Sequence, residues 1–181
     1  MDVVGAFNNV YHDRFIHNLR KLCMLETISR WITSFLRGRN MCLQFNSLKS
    51  GCLLTPASVP QGSPLSLLLY MYYNVDFLNI AAQHQATGPG FIDNIIYGVQ
   101  GYADKGNICK LKCILNEAEE WRKKHRAQFE ISKYILVHYT QNRWAKTKVS
   151  VTVNRIMIKP SYEARYLGVM FDQELCFKTH L

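Results

Sequence analysis

Apolar and polar positions along this chain recur in two periods, one helical and one extended, separated by turn residues. "HDRFIHNLRKLC" (12–23) places Phe15, Ile16, Leu19, Leu22 and Cys23 on one face of an amphipathic helix. A second helix follows, with Leu25, Ile28, Ile32 and Phe35 on one side and Gly38 as its stop signal. "MCLQFN" (41–46) reads as a strand. Pro56, Pro60 and Gly62 keep "LLTPASVPQGSPLS" (53–66) out of regular structure. Ser63-Pro64 announces the next helix, because serine caps a helix and proline suits its first position. That helix is predicted to reach residue 82, and "HQATGPG" (84–90) is a loop. "GFIDNIIYG" (90–98) is predicted to be a hairpin with Asp93-Asn94 at its tip. Ile108, Leu111, Leu115, Ala118 and Trp121 form the stripe of a helix over 106–126. Its final "RKKHR" (122–126) suits the negative end of a helix dipole. Strands are predicted at 134–139, at 149–153 turning at Asn154-Arg155 into 156–158, and at 165–172. Helices and strands mix without regular βαβ alternation, which points to an α+β fold.

Composition adds a partner class to this frame. The 181 residues are enough for one domain with a real core, and 48% hydrophobic against 19% charged content is globular. An excess of 22 Lys and Arg over 13 Asp and Glu favours a polyanionic partner. By charge alone, Arg37, Arg39 and the 122–126 run are the candidate contacts. The cysteines at 23, 42, 52, 109, 113 and 176 are scattered and no signal peptide is evident, so free thiols in a reducing compartment are expected. Cys109 and Cys113 could share a metal, but no second Cys/His pair lies at zinc spacing, so the plainer expectation is two small, partly buried thiols. The apolar run 65–82 is interrupted by Asn74 and Asp76, which fits a buried helix better than a membrane span.

Three polar clusters interrupt the apolar frame: Asp2 in "MDVVGAFNNV" (1–10), "VPQGSPLS" (59–66), and Asp93 on its hairpin. Singly, each has a structural explanation, as a terminal acid, a loop and a turn. Together, in this order, they resemble the palm of a reverse transcriptase. The resemblance is narrower still to the non-LTR (LINE-type) retrotransposon enzymes, especially those in fungal genomes. "DVVGAFNNV" is similar to the family's first metal motif, D-V-x-G-A-F-D. "HNLRK…RWITSFLRGR…LQFN" resembles the segment after it, and "VPQGSPLSLLLYMYYNVDFL" the most specific family signature. "FIDN" stands where the family has [FY]-x-D-D, "AQFEISKYILVHY" (127–139) resembles the downstream palm segment, and "YLGVMFDQELCFKTHL" (166–181) the approach to the thumb.

The resemblance implies a polymerase palm-like antiparallel sheet packed with helices, forming one partial domain over 1–181 with fingers missing and thumb truncated. It implies RNA-directed DNA synthesis through two Mg²⁺ or Mn²⁺ ions ~3.5–4 Å apart, held by hard oxygen ligands. Asp2 and Asp93 would bridge the ions. Phe7 would lie under the incoming sugar and favour deoxynucleotides, with Gln61, Gly62 and Ser63 along nucleotide and template. Lys133 would aid the leaving pyrophosphate, and Tyr166, Leu167 and Gly168 would grip the primer. RNA template, DNA primer and deoxynucleotides are the implied partners, without a membrane, in the nucleus. Two departures bear on activity. Asn8 replaces an acid that reads as structural. Asn94 replaces a carboxylate, removing one negative charge from a site facing two dications and a triphosphate, so little or no polymerase activity is expected. The alternatives are a working piece completed by other chains, and a non-catalytic basic nucleic-acid-binding or interaction domain.

Overall fold

The structure is a computed structural model that describes residues 1–55, 57–140, 148–178 and 180. Pro56, expected to break regular structure, lies outside them. In chain order the first half forms β1 (Val3–Val4), α1 (His12–Lys21), α2 (Glu26–Leu36), β2 (Asn40–Met41), β3 (Gln44–Phe45), β4 (Leu48–Lys49), β5 (Leu53–Leu54) and α3 (Pro64–Gln83). The second half forms β6 (Gly90–Phe91), β7 (Asn94–Ile95), α4 (Asp104–His125), β8 (Gln128–Phe129), a 3₁₀ turn (Ile131–Lys133) and β9 (Leu136–Val137). It closes with β10 (Val151–Val153), β11 (Ile156–Ile158), β12 (Pro160–Ser161), β13 (Glu163–Tyr166) and β14 (Val169–Asp172). The mixture is α+β. The strands meet as short, mostly antiparallel pairs, β12 with β9 being parallel, rather than as one broad sheet.

Two compact units divide the chain. The first comprises Met1–Val4, Asp76–Lys123 and Gln128–Leu181. An isolated bridge from Asp2 to Asn94 joins the β6–β7 hairpin to the start of β1, and β1 pairs with β8, so the antiparallel order is β6, β7, β1, β8. Beneath lies a stack of aromatics: Phe77, fully buried, sits 4.4 Å from Trp121 and 5.4 Å from Phe129, ring centroid to centroid. A second cluster gathers Ile108 and Leu115 of α4 with Leu136, Val151 and Val153. The β10–β11 hairpin turns at Asn154 and Arg155, with φ of 48° and 66°, the left-handed pair that a two-residue hairpin loop of type I′ requires.

Two strand expectations are corrected in this unit. Residues 165–172 are not one strand: Leu167 and Gly168 take φ of 47° and 89° and fold the segment into the β13–β14 hairpin. The strand expected over 134–139 is only β9, whose two residues are those paired with β12. Cys109 and Cys113 are exposed on α4 rather than partly buried.

The second unit comprises Gly5–Val75 and Lys124–Ala127. α1 buries Phe15 and Leu19 as its periodicity predicts, and also Asn18. The Asn18 amide nitrogen lies 3.2 Å from Nε2 of buried His125 and 3.4 Å from the Tyr73 carbonyl, so the nitrogen of its buried amide is partnered. Tyr73 donates in turn to the His125 carbonyl at 3.2 Å, and burial pushes its phenol up to about 12. α2 is rotated from the expected face: it buries Ser29 beside Ile32 and Leu36 and leaves Leu25 and Ile28 exposed.

"MCLQFN" is likewise two short strands, in a doubled hairpin of β2 with β5 and β3 with β4. Leu43, Phe45, Leu48, Leu53 and Leu54 are exposed along it. The expectation of free thiols throughout is corrected here: Cys42 and Cys52 form a disulfide with Cα atoms 4.6 Å apart. The cause is register. Asn40 opposes Leu54 and Met41 opposes Leu53, so the next step along the ladder sets Cys42 against Cys52. Among the described residues no helix is long and apolar enough to cross a membrane, and α3 buries Asn74 at 2% exposure.

Candidate functional site

The first unit assembles four of the sequence-derived site residues around one cavity. Asp2 and Asn94 face each other as a non-hydrogen-bonded antiparallel pair. Ile95 N–H donates to the Met1 carbonyl at 2.9 Å, and Val3 N–H to the Asp93 carbonyl at 3.0 Å, one step to either side. In such a pair the side chains stand closest, with Cα atoms ~4.5 Å apart. Asn94 is therefore the residue directly beside Asp2 on its face of the ladder.

This register corrects the expected turn. The tip is Ile92-Asp93, and Asn94 already belongs to β7. Ile92 carries a φ of 56°, a left-handed conformation that costs a branched side chain about 1–2 kcal/mol. Asp93 stays next to the ladder, with its Oδ1 accepting from Asn94 Nδ2 at 3.1 Å.

Lys133 ends the 3₁₀ turn that follows β8, and its Nζ donates to Asp2 Oδ2 at 2.6 Å. That hydrogen bond is the largest cause raising the lysine above its ordinary value, followed by the Asp2 charge. Asp2 is the more enclosed partner, with its side chain 18% exposed against 64% for Lys133. Beside this pair opens a cavity of about 430 Å³ that Asp2, Asn94, Lys133 and Tyr166 line, with Leu111 and Val151 among its apolar walls. Tyr166 leads into the Leu167-Gly168 turn, so the three residues expected to grip a primer form a hairpin end.

The remaining sequence-derived residues lie in the second unit. The Phe7 ring packs on Tyr70 at 5.2 Å, and its carbonyl accepts from Val59 N–H at 2.8 Å. Gln61 and Gly62 form an exposed turn closed by Ser63 N–H on the Pro60 carbonyl at 3.3 Å. Gly62 has a φ of 92° and open space where a Cβ would stand, so conformation and not crowding calls for glycine there. α3 begins at Pro64, as the Ser63-Pro64 signal predicts.

The 122–126 run is engaged in structure. Arg122 and Lys123 pair with Glu119 and Glu120 at 2.7 Å each, His125 is buried, and Arg126 donates to the Tyr11 hydroxyl at 2.8 Å while lying over its ring. Arg39, one of the candidates by charge, follows the end of α2 and is layered onto its aromatic side chains. Arg39 stacks on Phe35, and Phe35 on Trp31, a ladder legible only as the spacing of four in W-x₃-F-x₃-R.

The donor set can be weighed against the divalent ions the family resemblance implies. A hard dication wants oxygen ligands, preferably charged. Asp2 and Asp93 supply carboxylates, but Asp2 already holds an ammonium. Asn94 directs its amide nitrogen at Asp93 and has one neutral oxygen to offer. Among the described residues no three His, Cys, Asp or Glu side chains cluster as ligands would. The set is one carboxylate short of a two-ion site and does not fit it.

The model of one family, reverse transcriptase (RNA-dependent DNA polymerase), matches residues 1–171. The chain belongs to that family. Its whole length aligns with the RNA-directed DNA polymerase from mobile element jockey of Drosophila funebris at 27% identity over 192 residues. It aligns likewise with the probable RNA-directed DNA polymerases from transposon X-element and transposon BS of Drosophila melanogaster, at 24% and 25% identity. These likenesses place this reverse transcriptase segment among those of non-LTR mobile elements. It covers 20% of each of those relatives' lengths.

Proposed function

We propose that the chain is the palm segment of a non-LTR retrotransposon reverse transcriptase, one partial domain over 1–181, whose polymerase site has been disabled at Asn94. The observation that carries this reading is the pairing of Asp2 with Asn94. Where two carboxylates would stand side by side, one carboxylate faces an amide. Electrostatic stabilisation usually contributes more than any other effect to such catalysis, and this site has lost part of it. In the family's scheme Asp2 and Asp93 are the ion-facing acids, and Lys133 stands at the leaving pyrophosphate. Phe7 selects the sugar, Gln61, Gly62 and Ser63 follow nucleotide and template, and Tyr166, Leu167 and Gly168 hold the primer. RNA template, DNA primer and deoxynucleotides are the proposed partners, and the nucleus the proposed compartment. The net charge of +9 supports a second, narrower reading that survives loss of chemistry, a nucleic-acid-binding domain.

The test is primer extension on an RNA template with Mg²⁺ and with Mn²⁺, by the chain and by Asn94→Asp, alongside their thermal midpoints with and without Mn²⁺. The expected result is no extension by the chain, and a Mn²⁺-dependent rise in midpoint confined to the variant. Extension by the unaltered chain would overturn the disabled-site reading. A variant that neither extends nor responds to Mn²⁺ would show that Asn94 is not the lesion.

A further inference from the structure

We propose that the Trp31–Phe35 face of α2, with Arg39 folded back onto it from beyond the helix end, is a stacking platform for an unpaired base of a single-stranded nucleic acid. The inference rests on the nucleic-acid reading above, and it names a contact surface which that reading does not contain. Residues four apart share a helical face. Here Trp31 and Phe35 share such a face, their rings 5.8 Å apart and 13° from parallel, and the Arg39 guanidinium, from beyond the helix end, lies 4.3 Å over Phe35. Arg39 is pinned by its Nε–H to the Phe35 carbonyl at 2.8 Å, so the lower layers are pre-ordered. The outer layer is open, since Trp31 is 56% exposed.

The core does not need this face. α2 buries Ser29, Ile32 and Leu36 instead. Charge selects the occupant. Residues 20–54 carry six Lys or Arg (Arg20, Lys21, Arg30, Arg37, Arg39 and Lys49) against one acid, Glu26, over half of the chain's net +9. Arg30 and Arg37 are exposed beside the ladder. Aromatic planes for bases within a cationic surround for phosphates are the recurring means of holding single strands. The exposed Leu25 and Ile28 of the same helix are what a protein partner would use in its place.

The experiment is fluorescence anisotropy of labelled oligo(dT) and of an unstructured RNA of equal length, titrated with the whole chain, Trp31→Ala, Trp31→Phe and, as a basic control elsewhere, Arg155→Ala. Circular dichroism checks that each variant is folded. The expected result is binding weakened about ten-fold by Trp31→Ala, largely kept by Trp31→Phe, and little changed by Arg155→Ala. Binding should quench tryptophan emission in the chain, and that quenching should be lost in Trp31→Phe, a readout that survives if Trp31→Ala does not fold. Binding by the chain that neither Trp31 variant alters, with no quenching, overturns the platform and leaves the nucleic-acid reading standing. Absence of binding by the chain at low salt overturns both. Self-association lost in Trp31→Ala, with nucleic-acid affinity unchanged, overturns the platform in favour of a protein contact.

Discussion

Asp172 shows how much one carboxylate can organise. It is buried at 1% exposure, and its oxygens accept the backbone N–H groups of Glu174, Cys176 and Lys178 at 3.0, 2.9 and 3.3 Å. Those bonds, that from Cys176 foremost, hold its carboxyl below the ordinary value. A carboxyl lowered on folding contributes stability above its unfolded value, about 3.9, and loses it as pH falls through the folded one. Asp172→Asn is therefore expected to lower the thermal midpoint at pH 7, with the gap to the unaltered chain closing below about pH 4. A gap that persisted unchanged in acid would refute the assignment. The opposite sign holds at Lys133, raised by Asp2: its contribution is full below about 10.4 and is lost as pH rises through the folded value. At this scale the sequence singled out residues but not how they face. Asp2, Asn94 and Lys133 are legible as motif positions. That Asn94 stands directly opposite Asp2 depends on Ile92 taking a left-handed turn, which no propensity assigns to isoleucine.

Among the elements, α4 and α3 were the most legible, because a long stripe at helical spacing admits few alternatives. Ile108, Leu115, Ala118 and Trp121 of the expected stripe are all buried. The mutual stacking of Phe77, Trp121 and Phe129 makes the energetic claim testable. Trp121→Ala is expected to cost about 3–5 kcal/mol in urea unfolding, as large aromatic truncations in cores do. Trp31→Ala, on an exposed face, is expected to stay within about 0.5 kcal/mol. Equal costs would mean that α2 contributes to the core in a way its burial does not show. Short strands were the least legible elements. Each of β8 and β9 is a residue pair whose ends are set by a partner distant in sequence, β1 and β12 respectively. The turn at Leu167 needs a left-handed leucine and so left no local signal.

For the molecule as a whole, family and fold class were readable because three motifs keep their order across most of the chain, and residues 1–171 carry the family match. The Cys42–Cys52 disulfide was not readable, since composition speaks to compartment while pairing follows the β2–β5 register. Closing so short a loop stabilises by at most about 2–3 kcal/mol through chain entropy. Reduction is therefore expected to loosen the doubled hairpin and leave the rest folded. Limited proteolysis checks this: cleavage within residues 40–54 should accelerate in reductant while the far-ultraviolet spectrum holds. Global unfolding on reduction would contradict the separation.

The pairing of Asp2 with Asn94 also has a meaning in genetic terms. Codons for asparagine and aspartate differ by one transition, and the two side chains have nearly the same shape. A single base change would set a carboxylate into a ladder already in register, with no backbone to rebuild. On the proposed reading the lesion is chemical and not architectural, so it would be as shallow in the gene as it is deep in the chemistry.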